Sequence, residues 1–285
     1  MSRATDTRGR HRRMPPLIKL ATGILALAVL VAVAAPLLAP WHYTEQSLLA
    51  RLAPPVWAGG TWAHPLGTDE IGRDVLSRLI YGTRVSLLIA LAGTLIGAVL
   101  GTLLGFLAAH FRGLVDDAVM VMVDFQAAVP FIIVVLTVLA VFGNDLWLFL
   151  ALVGVAGWEV YARLTRAMTF AAREQGYVRS IRAAGAGPAR IYLRHVLPNI
   201  LSVIVVQMTL NFPATILLET GLSFLGLGVQ PPLTSLGLML GEGRDYLIVA
   251  WWMAVFPGIA IFLITLSMTL VGDWLRDRLD PMIDD

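Results

Sequence analysis

Residues 171–199 read AAREQGYVRSIRAAGAGPARIYLRHVLPN: a helix, a break and a second helix, set between two long apolar stretches. Good helix formers run from Glu174 to Ala184. Gly185-Ala186-Gly187 ends them, because glycine takes left-handed dihedrals without a Cβ clash. Pro188 suits the first turn of the next helix, and Pro198 opens the apolar stretch behind it. A helix of about 10 residues is marginal alone in water. One this rich in arginine, beside apolar runs, has to dock on lipid headgroups or on a protein.

The flanking stretches decide the environment. Of 285 residues, 58% are hydrophobic and 14% charged, with a mean hydropathy of +0.77; soluble domains carry about 25% charged residues. Uncharged runs at 20–44, 85–111, 125–144, 195–218 and 246–272 each reach the roughly 20 residues a helix needs to cross the hydrocarbon core. A sixth run, 146–162, has Glu159 near its end. A seventh, 220–241, is interrupted by five Gly and the Pro231-Pro232 pair, which predicts a loop with short helical pieces near a membrane surface. The expected fold class is all-α integral membrane with six transmembrane helices. Its parts are a tail at 1–19, a first helix at 20–44, a loop at 45–84, a five-helix core at 85–275 that includes the Arg-rich loop 163–195, and a tail at 276–285. The first run has the basic flank and small residues (Ala32-Val33-Ala34-Ala35) of a signal peptide. Its apolar stretch exceeds the roughly 7–15 residues of a signal core, so it reads as an uncleaved anchor helix.

Arginine placement orients the spans. The N-terminal tail holds Arg3, Arg8, Arg10, Arg12, Arg13 and Lys19; the loop after the fourth span holds Arg163, Arg166, Arg173, Arg179, Arg182, Arg190 and Arg194 against Glu174 alone. With six spans these segments share one side with both termini, the cytoplasmic side by the positive-inside rule. The 45–84 loop, with four Arg and four acids, and the 221–245 loop are then external. A net charge of +2 does not suggest a nucleic-acid partner. The absence of Cys excludes disulfides, thiolate metal sites and Cys nucleophiles. The five His form no HExxH pair, Lys19 belongs to no phosphate-binding loop, and no Ser sits in GxSxG. No catalytic residue, metal site or cofactor is expected in this chain, so the energy for driven work has to come from another one.

The 171–199 segment is similar in spacing to the EAA motif of permease subunits in bacterial ABC importers. That motif is Glu-Ala-Ala, three residues, Gly, nine residues, Ile, one residue, Leu-Pro. Gly185 and Leu197-Pro198 fall in register, with His195 in the Ile place and Arg179-Ser180-Ile181 in place of Glu-Ala-Ala. His64-Pro65-Leu66-Gly67-Thr68-Asp69, Gly72-Arg73-Asp74-Val75-Leu76-Ser77-Arg78 and Tyr81-Gly82-Thr83-Arg84 resemble the dipeptide/oligopeptide (peptide/nickel) permease family, C-type subunit. Leu222 to Pro232, Phe256-Pro257-Gly258, Gly272-Asp273, Leu275-Arg276-Asp277 and Leu279-Asp280-Pro281 continue the resemblance. Departures include His110 for Tyr, Arg112 for the first Gly of a pair, and Val121 for an Arg that would face Asp124; Leu236 replaces a Trp and Thr269 an Asn.

The resemblance implies a non-catalytic permease subunit in a bacterial inner membrane, with both termini cytoplasmic. Its implied partners are a second permease, two ATPase subunits that bind ATP and magnesium, an external substrate-binding protein and membrane lipids. The implied substrate is a di- or oligopeptide, with a nickel or metal chelate as the alternative. ATPase coupling would fall to Glu174, Tyr177, Val178, Arg179, Arg182, Ala183, Gly185 and Ala186. A stand-alone secondary transporter would need inverted repeats and mid-membrane coupling acids in both halves, and no such repeat is evident.

Asp124, Asn211 and Glu219 lie in or near spans. Intramembrane polar groups are costly, so they line a pathway or bond to neighbouring helices. Gly93, Gly97, Gly101 and Gly105 recur every fourth residue and predict one close helix contact. Trp41, Trp57, Trp62 and Trp251-Trp252 are expected at membrane interfaces. Asp69, Gly72, Arg73, Asp74 and Arg78, with Glu70, interleave two Arg with three acids, a composition that predicts salt bridges folding an external loop that helps receive a binding protein, rather than a cation site.

Overall fold

The computed structural model describes residues 14–279, less the side chains of Arg179 and Arg182. The N-terminal arginines, most of the C-terminal tail and Asp280-Pro281 therefore lie outside the described residues. Twelve α-helices are found among the described residues, and no strand. Five helical rods are long and apolar enough to span a membrane: 16–33, 75–111, 146–174, 188–224 and 252–279. A bent pair, Gly113–Ala128 and Phe131–Phe142, meeting at 90°, is apolar enough only when its two helices are taken together. The expected count of six is met with that pair as one span.

Helix ends differ from the charge-free runs, because caps set a helix end and charge does not. α1 (Pro16–Val33) and α2 (Ala35–Leu38) replace the single run 20–44. α3 (Val75–Phe111) starts ten residues before its uncharged run, where the Asp74 side chain accepts a hydrogen bond from the Ser77 amide at 2.7 Å. The 45–84 loop therefore ends at Asp74. α4 (Gly113–Ala128) and α5 (Phe131–Phe142) split the third run at Pro130, which cannot continue a helix. α6 (Leu146–Val155) and α7 (Trp158–Glu174) split the fourth at Gly157, whose φ is +84°. α7 continues twelve residues past 162, so the Arg-rich segment outside the spans shrinks from 163–195 to about a dozen residues.

That segment holds α8 (Gly176–Ala183), inside the expected 174–184. α9 (Pro188–Ile191) then runs through a π-turn at Tyr192–Val196 into α10 (Leu197–Phe224) without a break. Pro198 thus lies inside a continuous rod, not at its start. The Leu197 amide bonds to Tyr192 O in the π-turn just before the proline. After α10 come a loop, α11 (Leu236–Arg244) and α12 (Trp252–Leu279), so 220–241 divides into the end of α10, a loop and the start of α11.

The glycine face on α3 is the seam of the bundle. A Cβ on Gly101 would lie 2.2 Å from Trp158 O, and one on Gly105 would lie 2.6 Å from Ala162 O. Gly93 and Gly97 would meet Val153 Cγ1 at 2.7 Å and Gly154 O at 3.0 Å. Gly97, Gly101 and Gly105 thus let α3 lie backbone to backbone on α6 and α7, with Gly93 against the Val153 side chain, which in lipid supplies the packing that hydrophobic burial cannot.

Candidate functional site

At one end of the bundle, α8 is pinned by its apolar side. Val178 is fully buried, and it packs with Tyr177 and Ile181 against Phe106 of α3 and against Ile191, Tyr192 and Val196 below α10. The Tyr177 hydroxyl accepts from Asn199 Nδ2 at 2.8 Å, and His110 Nδ1 lies 3.0 Å from the Tyr192 hydroxyl. Ala186, half-buried, joins the same cluster, while Ser180 and Ala183 are exposed. Gly185 has a φ of +85°, and the Ala186 amide reaches back to Ile181 O at 3.3 Å. This left-handed close satisfies the last carbonyls of α8 and reverses the chain into Pro188. Glu174 is the last residue of α7, two residues before α8 begins. Of the residues expected at this hairpin, Tyr177, Val178 and Ala186 face the cluster, Glu174, Ala183 and Gly185 are exposed, and the Arg179 and Arg182 side chains lie outside the described residues.

A polar face runs along α7 into the bundle. Glu159, Arg163, Arg166 and Arg173 recur at helical spacing. Arg166 makes a bidentate pair with Asp116, its Nη2 at 2.7 Å, and Arg163 Nη2 lies 3.4 Å from Asp124 Oδ1. Asp124, without an Arg at 121, thus takes its cation from α7. Arg173 Nη1 donates to Ala109 O at the end of α3. Gln126 donates to Glu159 Oε2 at 2.9 Å and to Val155 O at 3.1 Å, and accepts from Trp158 Nε1. Asn211 of α10 borders a cavity with Gln126 and Glu159, its amide 2.7 Å from where a Gly157 Cβ would sit. Glu219 has another setting. It is fully enclosed and accepts from Ser86 Oγ at 3.0 Å and from Ser223 Oγ at 2.8 Å. Ser86 Oγ in turn accepts the Leu236 amide, so Glu219 clamps α3, α10 and α11.

The opposite end is closed by an ion network. Asp69 Oδ2 takes Arg73 Nε at 2.5 Å and Arg78 Nη1 at 2.6 Å. Arg78 Nη2 reaches Glu242 of α11 at 2.6 Å, and Arg73 Nη2 bridges Glu70 and Glu242 at 3.0 and 3.3 Å. Burial raises the Glu70 pKa, and the neighbouring Asp69 charge adds to the shift. Burial works against the charged form of Arg73, but Asp69 and Glu242 outweigh it and raise its pKa. Gly72, at φ +79°, passes so close to Ser47 that a Cβ would lie 1.9 Å from its carbonyl oxygen. Asp74 caps α3 and lies 3.1 Å from His64 Nδ1. All five expected loop residues fold the loop. Glu242 and the α7 stripe were missed, since Glu242 is 169 residues distant from Arg73 and the α7 arginines read as loop charges. Helical spacing from Glu159 to Arg173 was the available signal.

Membrane-length helices, a charged face along α7 and a docked hairpin at one end are the features of a transmembrane transport subunit. Residues 101–285 match the family described as "Binding-protein-dependent transport system inner membrane component", and residues 16–55 match "N-terminal TM domain of oligopeptide transport permease C". The chain is 41% identical over 260 residues to the di/tripeptide transport system permease protein DppC of Pseudomonas aeruginosa, covering 91% of this chain and 86% of that one. It is 42% identical over 261 residues to the dipeptide transport system permease protein DppC of Escherichia coli K12, covering 91% and 87%. The glutathione transport system permease protein GsiD of Pectobacterium atrosepticum is 37% identical over 225 residues, 79% and 75% of the two chains. An inward-facing structure of the MetNI methionine ABC transporter shares the fold at a TM-score of 0.54 and 20% identity, over 71% of this chain and 96% of that one. The chain belongs to the binding-protein-dependent ABC transport permease family, with the type I permease fold, and is a non-catalytic, multi-pass membrane component.

Proposed function

We propose that this chain is the C-type permease of a bacterial importer of di- or oligopeptides, supplying half of the translocation pathway. It pairs with a second permease, takes peptide from an external binding protein, and is driven by two ATPase subunits that hold the ATP and magnesium. It sits in the inner membrane with both termini and α8 in the cytoplasm. The observation that carries this reading is the packed hairpin itself. α8 has one side locked to the ends of α3 and α10 and the other exposed, which is what a lever needs to pass force into the rods it touches. Glu174, Tyr177, Val178, Arg179, Arg182, Ala183, Gly185 and Ala186 form that coupling unit. Asp124 and Asn211 belong to the pathway along α7, while Glu219 holds the α3–α10–α11 frame. The loop built on Asp69, Gly72, Arg73, Asp74 and Arg78 receives the binding protein.

The test is coexpression of the operon, copurification of the ATPases, and uptake of labelled dipeptide into proteoliposomes. A Cβ on Gly185 would meet nothing within 4 Å, so Gly185→Val acts through its φ of +85° alone. Even Ala costs about 1 kcal/mol there, and a β-branched side chain more. Loss of uptake and weakened ATPase association, with insertion intact, are expected. Peptide uptake by the chain without ATPases, or uptake of nickel chelate and no peptide, contradicts the proposal.

A further inference from the structure

Two helix breaks and a proline-bearing helix border one cavity. Pro130 separates α4 from α5, Ala156-Gly157 separates α6 from α7, and Pro213 lies inside α10. Irregular backbone within a membrane is tolerated where it is buried in protein or lines a cavity. A cavity of about 160 Å³ lies where they meet, bordered by Gln126, Phe131, Gly157, Glu159, Asn211 and Thr215. Glu159 is thirteen residues from the start of a 29-residue span and so sits near its middle.

The charge balance at this cavity differs from that of its neighbours. Asp116 has Arg166 and Asp124 has Arg163, but no ion pair among the described residues includes Glu159. Its recorded side-chain partner is the Gln126 amide, which is already committed to Val155 O and Trp158 Nε1. Arg163, four residues on along α7, is an opposite charge that acts on Glu159, but its guanidinium is shared with Asp124 at 3.4 Å, so a carboxylate held by a neutral amide and bordering space is only partly compensated. The cavity has room for a few waters of about 30 Å³ each, or for one amino terminus.

We propose that Glu159 is a subsite for a primary ammonium group, with Gln126 and Asn211 setting its geometry, and that it engages the free α-amino group of a peptide in transit. This rests on the peptide-importer reading. It makes the permease itself selective for an unblocked N-terminus, in addition to any choice made by the binding protein. Passage needs the contact to be weak enough to release, and a carboxylate shared with a neutral amide meets that need.

The experiment uses the complete importer in proteoliposomes with Ala-Ala and N-acetyl-Ala-Ala, in wild type and Glu159→Gln. The substitution keeps an acceptor for Gln126, so the fold is retained. The ratio of Ala-Ala to N-acetyl-Ala-Ala uptake is expected to fall at least tenfold. In parallel, a water-soluble carbodiimide should modify Glu159 in the wild-type complex, read by mass spectrometry. Ala-Ala should block that modification and the acetylated peptide should not. An unchanged ratio, or equal protection by both peptides, overturns the subsite. Failure of the wild type to transport either peptide would instead count against the peptide-importer reading.

Discussion

Gly101→Ala tests the seam on which the bundle depends. The added Cβ would lie 2.2 Å from Trp158 O, 2.7 Å from Tyr161 Cβ and 3.0 Å from Ala162 N. A close C–H to oxygen contact needs about 3.3 Å, so α3 and α7 have to part by about 1 Å at this turn. Gaps of that size forfeit a quarter to a half of each contact's attraction, and overpacking of this kind costs about 1–3 kcal/mol. Opposing this, Gly→Ala within a helix gains about 0.5–1 kcal/mol. Gly23 in α1, where a Cβ meets nothing within 4 Å, isolates that gain. Gly93 is intermediate, because its nearest obstacle is the Val153 Cγ1 methyl, a side-chain atom that can move. Thermal unfolding of the purified protein in one detergent should therefore rank Gly23→Ala above Gly93→Ala above Gly101→Ala, with the last about 1–2 kcal/mol below wild type. Equal stability of Gly101→Ala and Gly23→Ala would refute the backbone-to-backbone seam.

Arg112 has φ +53° and ψ −172°, a glycine conformation, and its guanidinium stacks 5.4 Å from the Phe170 ring. Relief of about 1–3 kcal/mol of strain exceeds the roughly 0.5–1 kcal/mol of an exposed cation–π contact, so Arg112→Gly should raise the unfolding temperature. Arg78→Ala leaves Asp69 and Glu242 with Arg73 alone and should cost about 1.5–3 kcal/mol, the worth of hydrogen bonds to charged groups, seen as protease cleavage within the external loop. Glu70 has a folded pKa raised above its unfolded value of 4.5, so the folded state holds more protons and stability falls as pH rises from there through the folded pKa. Wild type minus Glu70→Gln stability, measured across that window, should decline with pH; a flat difference would contradict the raised pKa.

Six spans and the Gly185 reversal were legible in sequence because each rests on local physics. Apolar length gives the spans, and a glycine at a helix end gives the left-handed close. The α3 seam was legible for the same reason, as four glycines share one helix face. Boundaries were less so. A scan for uncharged runs starts the second span at 85, yet Arg78 and Arg84 lie within α3, Arg78 neutralised by Asp69 and Glu242. The same scan ended the fourth span at 162, since it counted Arg163 and Arg166 as loop charges when each has an acid on α4. The bends at Pro130 and Gly157 carry their own sequence signals, but their meeting beside Glu159 is tertiary. The Glu219 clamp is likewise invisible without its serine partners on α3 and α10.

In the proposed importer the exposed side of α8 meets the ATPase. The chain contains no Cys, so Ser180→Cys places a single thiol on that side. Cross-linking from this position, in membranes carrying the complete importer, should yield an adduct with an ATPase subunit. An adduct with the external binding protein, or none with the ATPase while the complex is assembled and transporting, would contradict it.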